Sequence, residues 1–129
     1  MPGRFLLDTN AVIALRDSAP GVVSLVASAD SVWDSVVSIG EMFYGTWKSA
    51  QPERNRQRFE SAIAGCAIAH CSVLTATSCA SVRDGIRRKG RPIPDNDIRI
   101  AATAIQHDLV LVTRDAHFDH IDGLSVQTW

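Results

Sequence analysis

Apolar positions fall into short continuous runs that alternate with stretches of 3.6-residue periodicity, a pattern that predicts strands alternating with helices. Arg4-Phe5-Leu6-Leu7 is apolar on consecutive residues, as in a strand buried on both faces of a parallel sheet, and ends in Asp8-Thr9-Asn10. Ala11 to Leu15 continues as a short helix. Pro20-Gly21 breaks the chain, and Val22, Val23, Leu25 and Val26 recur helically within 21–29. The β-branched and aromatic stretch 31–37 predicts a second strand. Ser38 then opens a helix that reaches about Ser49 and is closed by Pro52. Glu53 to about Ala64 predicts a helix with Phe59 and Ile63 on its apolar face, ended by Gly65. Ala67 to Leu74 reads as a short strand or extended connector. Thr75 to Lys89 predicts a helix with Ala76, Cys79, Ala80 and Val82 inward, Arg83, Arg87 and Arg88 outward, and Gly90 as its stop. Leu109-Val110-Leu111-Val112-Thr113 is the clearest buried strand, and Leu124-Ser125-Val126-Gln127 a weaker last one. Strands alternating with helices imply an α/β fold, a three-layer α/β/α sandwich with a mostly parallel central sheet.

The stretch from Ile93 to about His107 is organised differently. It begins on an acidic cluster, Asp95-Asn96-Asp97, and runs into an apolar stripe. Pro94 precedes the start, and Asp95 is a suitable N-cap because its carboxylate can accept the first free backbone N–H groups. Asp97, Ile100, Ala101, Ala104 and Ile105 share one helical face, so Asp97 stands at the N-terminal end of the buried stripe. A carboxylate there needs a partner, because an unpaired buried charge is too costly to keep. The plain alternative is that Asp97 merely complements the helix dipole.

Length bounds the chain to one domain, 1–129, with room for a single core. No apolar run approaches the roughly 18 residues of a membrane span. Met1-Pro2-Gly3-Arg4 leads straight into a strand-like run without a signal-peptide pattern, and the expected location is cytoplasmic. Cys66, Cys71 and Cys79 are too few for a disulfide framework and read as small buried residues in a reducing compartment. The net charge of −1 does not itself suggest a nucleic-acid binder, but its distribution does more. Eleven of the fourteen acidic residues are Asp, several at the ends of predicted elements. Basic residues cluster instead as Arg54/Arg56/Arg58 and Arg87/Arg88/Lys89/Arg91. Acidic points beside basic stretches suit a metal-dependent site acting on a polyanion, although either cluster alone can be a solvated helix face.

In a parallel sheet, ligands bind beyond the carboxyl ends of the strands. Asp8 follows the first strand, Glu41 lies a few residues after the second, and Asp115 follows Leu109–Thr113. Chain direction can place these three at one edge, and Asp97 joins them if its helix packs with its N-terminus there. Each has a local alternative. Asp8 could cap the following helix, Ser38-x-x-Glu41 matches a capping box, and Asp115 could be a turn residue. Together, four converging carboxylates would repel one another without a cation between them. Mg²⁺ or Mn²⁺ fits best, with waters and substrate phosphate oxygens as remaining ligands. His117-x-x-His120 lacks two further ligands at zinc-like spacing.

Leu6-Leu7-Asp8-Thr9-Asn10, Ser38-x-Gly40-Glu41-x-x-x-Gly45, Asp97-x-x-Ile100-Ala101-Ala102-x-Ala104 and Leu111-Val112-Thr113-Arg114-Asp115-x-x-Phe118 together resemble a PIN-domain ribonuclease. The likeness is strongest to VapC-type toxins of prokaryotic toxin–antitoxin pairs. It covers nearly the whole chain in order. No single motif is specific, but the ordered set is strong. The resemblance implies a divalent-metal-dependent endoribonuclease, with Asp8, Glu41, Asp97 and Asp115 as its catalytic and metal-binding acids. The fourth position is Asn in some relatives and Asp here. Thr9, Asn10, Ser38 and Thr113 would contact the ligands or substrate phosphate. Asp95 is read as the helix cap and Asp119 as surface. Arg114 could touch phosphate or form a surface salt bridge.

RNA backbone could lie along Arg87, Arg88, Lys89 and Arg91, with Arg54, Arg56 and Arg58 as a second surface. A VapC-type toxin also implies a cognate VapB-type antitoxin and a homodimer. Trp33, Phe43, Tyr44 and Trp47 concentrate aromatic surface around the second strand and its following helix. At least two belong to core packing, and the others could hold an antitoxin helix. Other classes compete. A phosphoacceptor receiver would want two adjacent acids after the first strand and a late Lys, where this chain has Asp8-Thr9-Asn10 and Thr113-Arg114-Asp115. A catalytically inactive PIN-like RNA-binding or scaffolding module would have lost part of the acidic set. A DNA flap nuclease of related fold would need added substrate-gripping elements.

Overall fold

A computed structural model describes residues 3–129, so Met1 and Pro2 of the expected leader-free start lie outside the described residues. The strands are β1 (Arg4–Leu7), β2 (Ser31–Ser35), β3 (Ala67–Ala69), β4 (Val110–Val112) and β5 (Val126–Gln127). The helices are α1 (Thr9–Arg16), α2 (Pro20–Ser28), α3 (Val36–Trp47), α4 (Pro52–Ile63), α5 (Val73–Lys89) and α6 (Asp95–Gln106), with a 3₁₀ turn at Ala116–His120. The five strands form one sheet in the order β3-β2-β1-β4-β5, and every pairing is parallel. The expected α/β/α sandwich is borne out.

Alternation along the central strands divides the core in two. Leu6 and Leu111 face α5 and α6, packing with Val82, Ile86, Ile100 and Ala104. Phe5, Leu7 and Val112 face the other way, onto Ala11, Val12, Met42 and Phe59 from α1, α3 and α4. Successive strands step outward from β1 to β2 to β3. The α5–α6 crossover then carries the chain back across β1 to begin β4. Connections after β1 and β4 therefore leave in opposite directions, and a crevice opens between their carboxyl ends.

Several element boundaries differ from the sequence expectation. Val36 and Val37 belong to α3 rather than β2, because the Ser35 hydroxyl accepts from Ser38 N at 3.0 Å and caps the helix there. Ser38 is thus inside the helix, and the expected Ser38–Glu41 capping box does not form. Pro52 opens α4 at its first turn instead of closing α3, a position where its missing N–H costs nothing. Pro94 holds the cap position of α6, so Asp95 is the first helical residue and its carboxylate pairs with Arg83 at 3.1 Å. Asp95 is not the N-cap.

On α5 the inward positions are Thr75, Val82 and Ile86, with Cys79 half-buried; Ala76 and Ala80 point outward. Small apolar residues carry too little burial energy to orient a helix against a competing stripe of larger ones. Gly90 ends α5 as expected, in the left-handed conformation at φ 63° that glycine adopts without penalty. The cysteines are less buried than expected: Cys71 is exposed, and Cys66 and Cys79 are half-buried. Among the described residues, no single helix is long and apolar enough to cross a membrane.

Candidate active site

The crevice between β1 and β4 collects carboxylates by simple chain geometry. Leu7 pairs with Val112, so the residues just beyond them, Asp8 and Thr113, stand side by side at the carboxyl edge. Asp8 caps α1, accepting Ala11 N at 2.7 Å through one oxygen. Its other oxygen accepts the Thr113 hydroxyl at 2.5 Å. Capping and site membership are therefore the same placement, not rival ones. Thr113 Oγ1 in turn accepts Asp115 N at 3.0 Å, which ties the loop after β4 to the loop after β1. Asp115 caps the 3₁₀ turn by accepting His117 N at 2.9 Å.

Asp8 is only 4% exposed. Burial pushes its carboxyl above the usual carboxylate range, the bonds from Thr113 and Ala11 pull it back, and the charges of Asp115 and Asp97 push it up again. Thr113 links Asp8 to the Asp115 backbone, and carboxylate oxygens of Asp115 and Asp97 lie within 4.8 Å of each other, so the three acids form one cluster. Asp97 sits in the first turn of α6, whose N-terminus does pack toward this edge. Glu41, in the second turn of α3, is held from the other side: the Thr9 hydroxyl donates to its Oε1 at 3.1 Å, and Thr9 also lies 3.4 Å from the buried Ser38 hydroxyl. A cleft of about 250 Å³ opens beside Glu41 between α1, α3 and α4, lined by Thr9, Arg16, Met42, Thr46 and Asn55.

Of the polar residues expected around the acids, Thr9, Ser38 and Thr113 are in place. Asn10 is exposed in the first turn of α1 and makes no side-chain hydrogen bond among the described residues. Arg114 turns away from the acids, with its guanidinium bonded to the Trp129 main-chain oxygen at 2.9 Å and stacked 4.5 Å from the Trp129 ring. Among the described residues it forms no salt bridge to an acidic side chain. Asp119 is exposed, as expected.

His117 was not expected in the site. Its Nδ1 lies 3.2 Å from Asp97 Oδ2 and 3.3 Å from Asp115 Oδ1. Its place two residues after Asp115 is the sequence signal that points to it.

The basic clusters lie at the surface and are partly paired with acids. Arg87 and Arg88 pair with Asp84 at 2.6 and 3.0 Å, and Lys89 with Asp122 at 2.7 Å. Arg56 pairs with Glu53 and Glu60, and Arg58 with Asp17. Of the four aromatic residues, Trp33 stacks on His107 and Phe43 meets Phe59 edge-on, whereas Tyr44 and Trp47 are 62% and 72% exposed.

Three acids thus gather at this edge, and Glu41 stands beside Thr9, the neighbour of Asp8. The PIN domain model matches residues 5–124. The chain belongs to the PIN domain family. It is 30% identical over 129 residues to the tRNA(fMet)-specific endonuclease VapC of Shigella flexneri, covering 98% of each. Its fold matches VapBC2 from Rickettsia felis, solved bound to a promoter DNA fragment, with a TM-score of 0.89 at 25% identity, covering 97% of this chain and 98% of that one. DNA-bound VapBC from Salmonella typhimurium gives 0.88 at 28% identity, over 100% of this chain and 99% of that one. The acidic edge of this PIN domain has a donor set suited to a hard divalent ion: carboxylate oxygens in excess, with one imidazole among them.

Proposed function

We propose that this chain is the toxin of a VapBC-type toxin–antitoxin pair, a divalent-metal-dependent endoribonuclease working in the cytoplasm as one domain over residues 1–129. On the four carboxylates alone, Mg²⁺ is the proposed metal and Mn²⁺ its substitute. The observation that carries the reading is the gathering of Asp8, Asp97 and Asp115 at the β1–β4 switch point, with Glu41 bonded to Thr9, the neighbour of Asp8.

Asp8, Asp97 and Asp115 would hold the metal, with Glu41 completing the set. When bound, the metal supplies an activated water and neutralises charge on the phosphate and leaving oxygen. The chain's own part is preorganisation. Thr113 and the N-terminus of α1 fix Asp8, Thr9 aims Glu41, and the first turn of α6 presents Asp97. In-line attack on RNA would leave 5′-phosphate and 3′-hydroxyl ends, and no side chain of this site is needed as a covalent nucleophile. The specificity in the name of the Shigella relative makes tRNA the first substrate to try.

Tyr44 and Trp47 are the expected antitoxin contact. Both sit on α3, the helix that carries Glu41, and Met42 and Thr46 of the same helix line the cleft beside that carboxylate. An apolar segment docked on this surface would lie next to the site. A homodimer is the expected assembly. Controlled expression in a bacterial host tests the toxin reading: growth stops with the wild type, continues with Asp97→Asn, and resumes when the cognate antitoxin is co-expressed. Growth unaffected by folded wild-type protein would refute it.

A further inference from the structure

His117 is the one imidazole that reaches the acidic edge among the described residues. It enters by construction. Asp115 Oδ1 accepts the His117 backbone N–H at 2.9 Å, which folds the 3₁₀ turn back over the carboxylate, and buried Phe118 anchors that turn in the core. The ring nitrogen Nδ1 then points between Asp97 and Asp115, at 3.2 and 3.3 Å. One ligand atom from each of the three residues falls within 4.8 Å of the other two. In an octahedral ion with ligands at about 2.1 Å, adjacent ligand atoms stand about 3 Å apart and opposite ones about 4.2 Å. The two nitrogen–oxygen separations are hydrogen-bond contacts in this structure and also match the spacing of neighbouring ligands in a single coordination sphere.

We propose that His117 is a metal ligand through Nδ1, which makes the centre a mixed carboxylate–imidazole site that favours Mn²⁺ over Mg²⁺. The inference rests on the metal-dependent nuclease reading and adds a residue and a preference to it. An all-oxygen set suits Mg²⁺, whereas imidazole is a poor ligand for that ion and a good one for later divalent metals. The Asp115 cap orients the ring, while the half-exposed side chain leaves room for it to adjust as an ion enters.

Mn²⁺ spin-echo spectroscopy on the purified protein tests this without reference to cleavage. The expected wild-type spectrum contains a ¹⁴N coupling from a directly bound imidazole, and His117→Gln loses that coupling while still folding. In calorimetric titration the same variant loses Mn²⁺ affinity by about tenfold or more, since even the loss of a partner behind a ligand costs that much. Its Mg²⁺ affinity changes far less. A wild-type spectrum without nitrogen coupling, or one that persists in His117→Gln, overturns the ligand assignment and leaves the nuclease reading standing. Folded protein that binds neither ion would overturn both.

Discussion

The Thr113 hydroxyl donates to the Asp8 carboxylate at 2.5 Å, joining residues 105 apart in sequence at the centre of the acidic edge. The same oxygen accepts Asp115 N, so one hydroxyl registers the loops that carry two of the four acids. Thr113→Val removes both bonds and leaves a buried carboxylate oxygen without its donor. The expected cost is about 1–3 kcal/mol in thermal or denaturant unfolding. Metal affinity should fall by about 10–100-fold, the usual range for losing a partner behind a ligand. Thr113→Ser should restore most of both.

Mutual repulsion among Asp8, Asp97 and Asp115 makes the metal-free protein less stable than the metal-bound one. A saturating divalent ion should therefore raise the melting temperature, by an amount equivalent to about 2.7 kcal/mol at a hundredfold excess over Kd. Asp97→Asn should melt no lower than wild type without metal and gain little from added Mg²⁺ or Mn²⁺. Differential scanning calorimetry in EDTA and in each ion checks both halves.

Asp34 lies on β2, fully buried, with neither carboxylate oxygen in hydrogen-bonding geometry with a donor among the described residues. Burial pushes its acid up to about 7, with the nearby Ser38 hydroxyl and Ser35 amide only moderating the rise. Between roughly pH 4 and 7 the folded chain keeps this proton while the unfolded chain releases it, so stability falls as pH rises through that window. The shift amounts to roughly 4 kcal/mol at one residue. Asp34→Asn should flatten the pH dependence and be more stable than wild type at pH 8, measured by urea denaturation across pH 5–8.

Arg87, Arg88 and Lys89 pair with acids only at the surface, where such pairs are worth little, so their replacement should barely change stability. Reversing Arg87, Arg88, Lys89 and Arg91 to Glu should weaken RNA binding and shallow its salt dependence by about 0.7 per lost phosphate contact. The same change at Arg54, Arg56 and Arg58 should do less. Equal binding by all three proteins would remove these residues from the RNA surface.

The strands and most helices were legible because buried parallel strands read as unbroken apolar runs and α6 keeps a clean 3.6-residue stripe. The convergence of Asp8 and Asp115 followed from chain direction alone. What stayed hidden depended on competition between neighbours. Val36 and Val37 look like strand until Ser35 is known to cap α3, and Ala76 looks buried until Val82 and Ile86 fix the face of α5. The contacts of His117 and Arg114 stayed hidden for a further reason. Their partners, Asp97 and Trp129, are brought to them by the fold.

The most direct test is incubation of purified protein with a cellular RNA pool that includes tRNA, in Mg²⁺, Mn²⁺ or EDTA, beside Asp8→Asn and Asp97→Asn. Discrete fragments bearing 5′-phosphates should form only with metal and vanish in both variants. Fragments that persist in EDTA or in the variants, or no cleavage by folded, antitoxin-free wild type, would contradict the acidic cluster as the centre of an endoribonuclease.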